Sequence, residues 1–170
     1  MLLIFDWDGT LSDSTGLIVS AMQAAAKSAS VDVRTHGEIC EIIGLGLPEA
    51  IKTLYPEFEE SDLQVFRQYY ADHFIEMDRS APSVLFPGVM DTLSDLKAEG
   101  HTLVIATGKS RKGLDRILDR MGLLQFFHGS RCADETVSKP NPTMLIQLLH
   151  QFNADASDAV MVGDTEFDME

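Results

Sequence analysis

Three short apolar runs restrict the fold more than any other feature of this chain: "LLIF" at 2–5, "TLVIA" at 102–106 and "AVMV" at 159–162. Each contains β-branched residues and gives way at once to a turn rich in Gly or Asp, the pattern of a strand buried on both faces. Around them lie helical patterns, "GVMDTLSDLKAE" ending before Gly100, "RKGLDRILDRM" before Gly122 and "PTMLIQLLHQF" starting at Pro142. Glycine just past a helix end and proline in a first turn are what helix termini favour. Strands alternating with helices predict an α/β fold with a Rossmann-like parallel sheet and right-handed crossovers.

Residues 14–80 break the alternation. "LIVSAMQAAAKSA", "THGEICEIIG", "LPEAIKTLY" and "DLQVFRQYYADHFIEM" all read as helices, the second opened by a Thr35/Glu38 capping box. An all-helical insertion at 14–80 is therefore expected within a core formed by 1–13 and 81–170. In its last helix Leu63, Phe66, Tyr70, Phe74 and Met77 recur at steps of three and four, an apolar stripe read as core packing. "RSAPSVLFPG" at 79–88 carries two prolines and a glycine and is the expected return linker.

With 45% hydrophobic residues, the 170-residue chain can bury a sizeable core. Its formal charge of −14 sets net repulsion against nucleic acid and anionic membranes, so neither is an expected partner. A small phosphorylated metabolite escorted by a cation suits it better. Cys40 and Cys132 stand alone, without metal-ligand spacing, and are expected as reduced, buried thiols. The apolar run at the N-terminus is cut by Asp6, too short for a signal core or a membrane span, which points to the cytoplasm. Monomer and dimer are equally compatible with these features.

In an open parallel sheet, ligands bind beyond the carboxyl ends of the strands. The polar residues that follow the three runs are Asp6 and Asp8, Thr107, and Asp164, and all should converge there. Carboxylates gathered at one edge repel unless a cation joins them, and a hard, oxygen-ligated ion such as Mg²⁺ suits an all-oxygen set. Lys139 offers a basic partner. Asp6 and Asp8, two apart, can face the same way because strand side chains alternate, while Gly9 lets the chain turn away. Taken singly, each element reads equally as a turn or a helix-start carboxylate.

Together, "FDWDGTLSDS", "VIATGKS", "SKPNP" and "VMVGDTEFD" occur in one order, each after the strand or loop where it is needed. In these motifs the chain closely resembles the haloacid dehalogenase superfamily of phosphohydrolases, over nearly its whole length. A helical cap inserted after the first motif resembles the phosphoglycolate phosphatase-like branch. The resemblance implies a Mg²⁺-dependent phosphatase that acts on a small phosphomonoester through an aspartyl phosphate. It makes Asp6 the nucleophile and Asp8 the acid, then the base. It makes Thr107 and Lys139 catalytic ligands of the phosphoryl group, joined in phosphate binding by Gly108 and the main chain at Trp7. The metal would be held by Asp6, the backbone carbonyl of Asp8 and Asp164, with Asp168 orienting Lys139 or a metal-bound water. An aspartate of ordinary pKa, about 3.9, is ionised at pH 7, so Asp6 should need no base, whereas Asp8 must begin protonated.

The resemblance also implies that a loop between the first cap helices, Gly44, Leu45, Gly46 and Leu47, closes over the site and reads the leaving group. An ordinary helix-to-helix turn explains it equally well. "GLGLPEA" contains no Arg, Lys or His, which favours a small leaving group. Lys109, Arg111, Lys112 and Arg116, interleaved with Asp115 and Asp119, are expected on a solvated helix face. A sugar phosphomutase and a non-catalytic phosphate- or partner-binding module are the alternatives, and a retained Asp8 with the helical insertion speaks for turnover. Relatives continue through at least one more helix and strand, so the C-terminal end of the core is expected to be missing and the last strand to lack its covering helix.

Overall fold

A computed structural model describes residues 1–169 of the chain. The first apolar run forms strand β1 (Leu2–Phe5), followed by a short β2 (Ser12–Asp13). Four helices come next, α1 (Thr15–Ser28), α2 (His36–Cys40), α3 (Leu47–Leu54) and α4 (Glu60–Ser80). The remainder alternates: β3 (Val84–Leu85), α5 (Val89–Ala98), β4 (Thr102–Thr107), α6 (Arg111–Arg120), β5 (Gly129–Cys132), α7 (Thr143–Gln151) and β6 (Ala159–Val162). Single 3₁₀ turns cover Ala156–Asp158 and Glu166–Asp168.

The sheet is parallel, in the order β5-β4-β1-β6, with Phe5 level with both Ile105 and Val162. That register brings the carboxyl ends of β1, β4 and β6 to one edge. The period of two sorts its side chains. Leu3, Phe5, Leu103 and Ile105 pack with Leu93 and with Leu114 of α6 on one face, and Leu2, Ile4, Val104 and Ala106 meet Met144 and Leu148 of α7 on the other. Each such buried side chain contributes roughly 1.5–3 kcal/mol over leaving it in water.

The Thr35/Glu38 capping box forms as the sequence predicts, with each residue's backbone N–H bonded by the other's side chain. A second apolar cluster, including Val19, Met22, Ile39, Ile51, Tyr55 and Phe66, joins α1 to α4. The stripe on α4 divides between the two cores: Leu63 and Phe66 pack in the helical cluster, Phe74 and Met77 against the sheet, and Tyr70 in both. Where the chain leaves the sheet and returns to it, β2 and β3 pair antiparallel, and Phe86 N–H donates to the Leu11 carbonyl at 3.0 Å. Asp78, buried near the end of α4, is gripped by Arg116 at 3.2 Å and Arg120 at 2.8 Å, both from α6. Burial pushes its carboxyl up, but the hydrogen bonds from Arg120 and Ser83 and both guanidinium charges outweigh that and hold it below the usual range.

One strand was not foreseen, and one expectation needs correction. Strand β5, "GSRC", has no apolar run because it lies at the sheet edge with three half-buried residues, so periodicity carried no sign of it. Cys132 is buried and its thiol is pushed up to about 12, chiefly by burial, but Cys40 is only half-buried, beside His36. Val160 and Val162 are partly exposed on the edge strand β6. Among the described residues no helix is long and apolar enough to cross a membrane.

Candidate active site

Strand geometry continues one residue past β1: the Asp6 N–H donates to the Val162 carbonyl at 2.9 Å. Alternation then turns Asp6 and Asp8 to one side and drives Trp7 to the other, where its ring is fully buried edge-on to Phe127. The Trp7 side chain is therefore a core element, and only its main chain faces the strand ends.

Asp6 is 1% exposed. Its Oδ1 accepts from Lys139 Nζ at 2.7 Å, and Lys139 donates a second bond, at 2.6 Å, to Asp168 Oδ1. The other oxygen of Asp168 accepts from the N–H and hydroxyl of Thr165, at 3.2 and 3.0 Å. Lys139 and Asp168 are themselves buried, so the ammonium sits between two desolvated carboxylates. Asp6 Oδ2 is buried without any hydrogen-bond partner.

Asp164 completes the cluster from the turn after β6. Its Oδ1 accepts from Thr10 Oγ1 at 2.9 Å, and one oxygen from each of Asp6, Asp164 and Asp168 lies within 4.8 Å of the others. Gly9 makes room for it: at φ +85° it holds a backbone that disfavours L side chains, and a Cβ there would meet Asp164 Oδ2 at 2.2 Å.

Asp8 faces a different set of partners. Its Oδ1 accepts from Ser14 Oγ at 2.5 Å and lies 3.0 Å from Lys109 Nζ. Lys109 also sits 4.9 Å over the Phe74 ring of α4. The expected solvated face is thus corrected for Lys109, whose side chain is 10% exposed. Arg116 is tied to Asp78, and Arg111 to Asp115 and Glu135, which leaves Lys112 exposed. Sequence reasoning missed Lys109, Ser14 and Thr10 as site residues; the adjacency of Lys109 to Thr107 and Gly108 was the available signal.

Thr107 closes β4, fully buried, and its Oγ1 accepts from Lys109 N–H at 3.2 Å. Beside it Gly108 meets the segment between α2 and α3: a Cβ there would lie 2.4 Å from the Leu45 carbonyl oxygen and 2.7 Å from that of Gly44. Gly46 N–H donates to Ser138 Oγ at 2.6 Å, and Leu47, at the start of α3, lines the same cavity as Asp6 and Asp8. The loop 44–47 therefore lies against the strand ends, in contact with the residue before Lys139.

Burial pushes the Asp6 carboxyl up to about 7; the Lys139 charge opposes this, while Asp168 and, more weakly, Asp8 add to it. The expectation that Asp6 has an ordinary carboxyl is corrected accordingly: burial raises it, and the Lys139 ammonium offsets that only in part. The residues present fit a divalent cation. Four carboxylates (Asp6, Asp8, Asp164, Asp168) face two ammonium groups (Lys109, Lys139), a formal balance of 2 − 4 = −2, and the donor set is all oxygen, with the orphaned Asp6 Oδ2 among it. The Asp8 side chain is not among the three clustered carboxylates, its Oδ1 being held by Ser14 and Lys109.

Comparison with known proteins places nearly the whole chain in one family. The family model described as "Haloacid dehalogenase-like hydrolase" matches residues 3–170. A relative named "Probable phosphatase IndB", from Dickeya dadantii, is 36% identical over 99% of this chain and 74% of its own length. A phosphoglycolate phosphatase of Agrobacterium fabrum is 27% identical over 96% of this chain and 72% of its own. Among solved structures, a "predicted phosphatase" from Clostridium acetobutylicum superposes with a TM-score of 0.84 at 26% identity, covering 99% of this chain and 77% of that one. The parallel sheet, the acidic cluster beyond its strands and these matches lead to one conclusion: the chain belongs to the haloacid dehalogenase-like hydrolase family.

Proposed function

We propose that this protein is a Mg²⁺-dependent phosphatase that releases phosphate from a small phosphorylated metabolite through an aspartyl phosphate on Asp6. The observation that carries the reading is Asp6 itself, a buried carboxylate with Lys139 on one oxygen and nothing on the other, placed among carboxylates beyond the sheet. The names of the relatives, phosphatases in both cases, support it.

The Asp6 carboxylate attacks phosphorus, and the bond to the leaving oxygen breaks as the new O–P bond forms. Asp8 gives that oxygen its proton, then takes one from the water that attacks the acyl phosphate, which frees inorganic phosphate and restores Asp6. Ser14 and Lys109 hold Asp8 Oδ1, which leaves Oδ2 to carry the proton that is given up and later regained. Thr107, the N–H groups near Trp7 and Gly108, and Lys139 stabilise charge on the phosphoryl oxygens, and Asp168 positions Lys139. Asp6, Asp164 and the carbonyl of Asp8 would hold Mg²⁺, which when bound neutralises Asp6 and the phosphoryl group. The helices within 14–80 serve as a cap over the core of 1–13 and 81–170, and the loop 44–47 excludes water from the site.

Phosphate release from a panel of phosphomonoesters tests the reading. Turnover should fall to background with chelator and return on adding Mg²⁺; metal-independent release would remove the cation from the reading, and no release would remove the phosphatase. Gly108→Ala tests the loop. Its Cβ cannot coexist with the Leu45 carbonyl as placed, so kcat/KM should fall by up to about 10²-fold, with melting temperature changed far less. Parental kinetics would show that the loop need not approach β4.

A further inference from the structure

A cavity of about 520 Å³ opens from Asp6 and Asp8 between α1, α4 and α6. Its walls are apolar and aromatic, with Ile18, Met22, Leu47, Tyr70 and Phe74 among them. That volume lies within the range of about 300–1,000 Å³ that holds drug-sized ligands, well beyond the needs of a two- or three-carbon alcohol. Two exposed cations also line it, Arg67 of α4 and Lys112 of α6, the one from the helical layer and the other from the core. Neither has an ion pair or a side-chain hydrogen bond among the described residues, whereas Lys109 and Arg116, which line the same space, are paired with Asp8 and Asp78. Of the carboxylates on its wall, Asp6 and Asp8 pair with Lys139 and Lys109, and neither Glu49 nor Asp134 pairs with Arg67 or Lys112. In a chain of net charge −14, two uncommitted cations on one cavity mark a place for negative charge.

We infer that the leaving group is bulky and amphipathic: an apolar or aromatic body packed on the half-buried Leu47 and Tyr70, ending in a carboxylate or comparable anion held by Arg67 and Lys112. This rests on the phosphatase reading of the same site. It replaces the small leaving group expected from the sequence of the loop 44–50, because the recognising cations come from α4 and α6 and not from that loop.

The test compares kcat/KM of the full chain with Mg²⁺ on three probes: a phosphorylated two-carbon acid, phenyl phosphate and 4-carboxyphenyl phosphate. The order should rise along that series. In Arg67→Gln and Lys112→Gln the ratio of 4-carboxyphenyl to phenyl phosphate should fall by up to about 5-fold, the scale of one solvated charge contact. Preference for the two-carbon acid, or an unchanged ratio in both variants, would overturn the inference. Equilibrium binding of 4-carboxyphenylphosphonate, which cannot be hydrolysed through a P–O ester, separates this result from the chemistry. Binding that weakens in both variants, without turnover of any probe, would uphold the pocket and sink the phosphatase reading. Turnover with no binding preference for the carboxylated phosphonate over phenylphosphonate would do the reverse.

Discussion

Asp6→Asn is expected to lower phosphate release by at least about 10⁴-fold while leaving the chain folded, the scale on which loss of a nucleophile acts. Asparagine keeps the shape of aspartate, and its carbonyl can still accept from Lys139, so the variant loses a nucleophile without opening a cavity. Steady-state phosphate release beside a melting curve checks both halves, and a variant as active as its parent would remove Asp6 from the chemistry. The same substitution should alter the response to pH. The Asp6 carboxyl sits near 7 when folded against 3.8 in its ordinary state, so the cation-free folded protein retains a proton that the unfolded chain releases. This contribution to stability is complete below the ordinary value and is lost as pH rises through the folded one, on the order of 4 kcal/mol in all. Denaturant unfolding in chelator should therefore show the parent losing stability relative to Asp6→Asn between about pH 4 and 7, and Mg²⁺ should restore it. Curves that run parallel would show that burial of Asp6 carries no such cost.

Lys139→Met should damage both stability and turnover. Removing the ammonium leaves Asp6 and Asp168, 1% and 6% exposed, without the counter-charge that bonds them both. Breaking a buried pair by deleting one partner costs about 3–5 kcal/mol, and loss of a preorganised charge at the reacting group costs about 10²–10³-fold in rate. Methionine fills a similar volume, so the change reports charge and not a void. Unfolding with and without Mg²⁺ distinguishes the effects, because a cation on Asp6 should recover part of the lost stability and little of the rate. A variant as stable as the parent in chelator would mean that the two carboxylates do not depend on Lys139.

Much of the fold was legible because its strands are buried on both faces. A strand such as "LLIF" has no solvent side to dilute its pattern, and the helices around it carry their own glycine, proline and capping signals. β5 was not legible, since an edge strand with "GSRC" needs no apolar run to pair with β4. The candidate site was legible for the same reason as the sheet: residues at the ends of parallel strands must share one edge, which brought together Asp6, Thr107 and Asp164 from 158 positions of sequence (164 − 6). Lys139 was legible only through its motif.

The sequence by itself determined the alternating α/β order, the helical insertion and the facing of Asp6 and Asp8, because these follow from periodicities of 2 and 3.6 residues along one segment. Only the tertiary structure decided that Lys109 reaches Asp8, that Gly108 touches the loop 44–47, that burial raises the Asp6 carboxyl despite its ammonium partner, and that Arg67 and Lys112 share a cavity. Each of those depends on distance and desolvation between elements far apart in the chain, and local pattern carries neither.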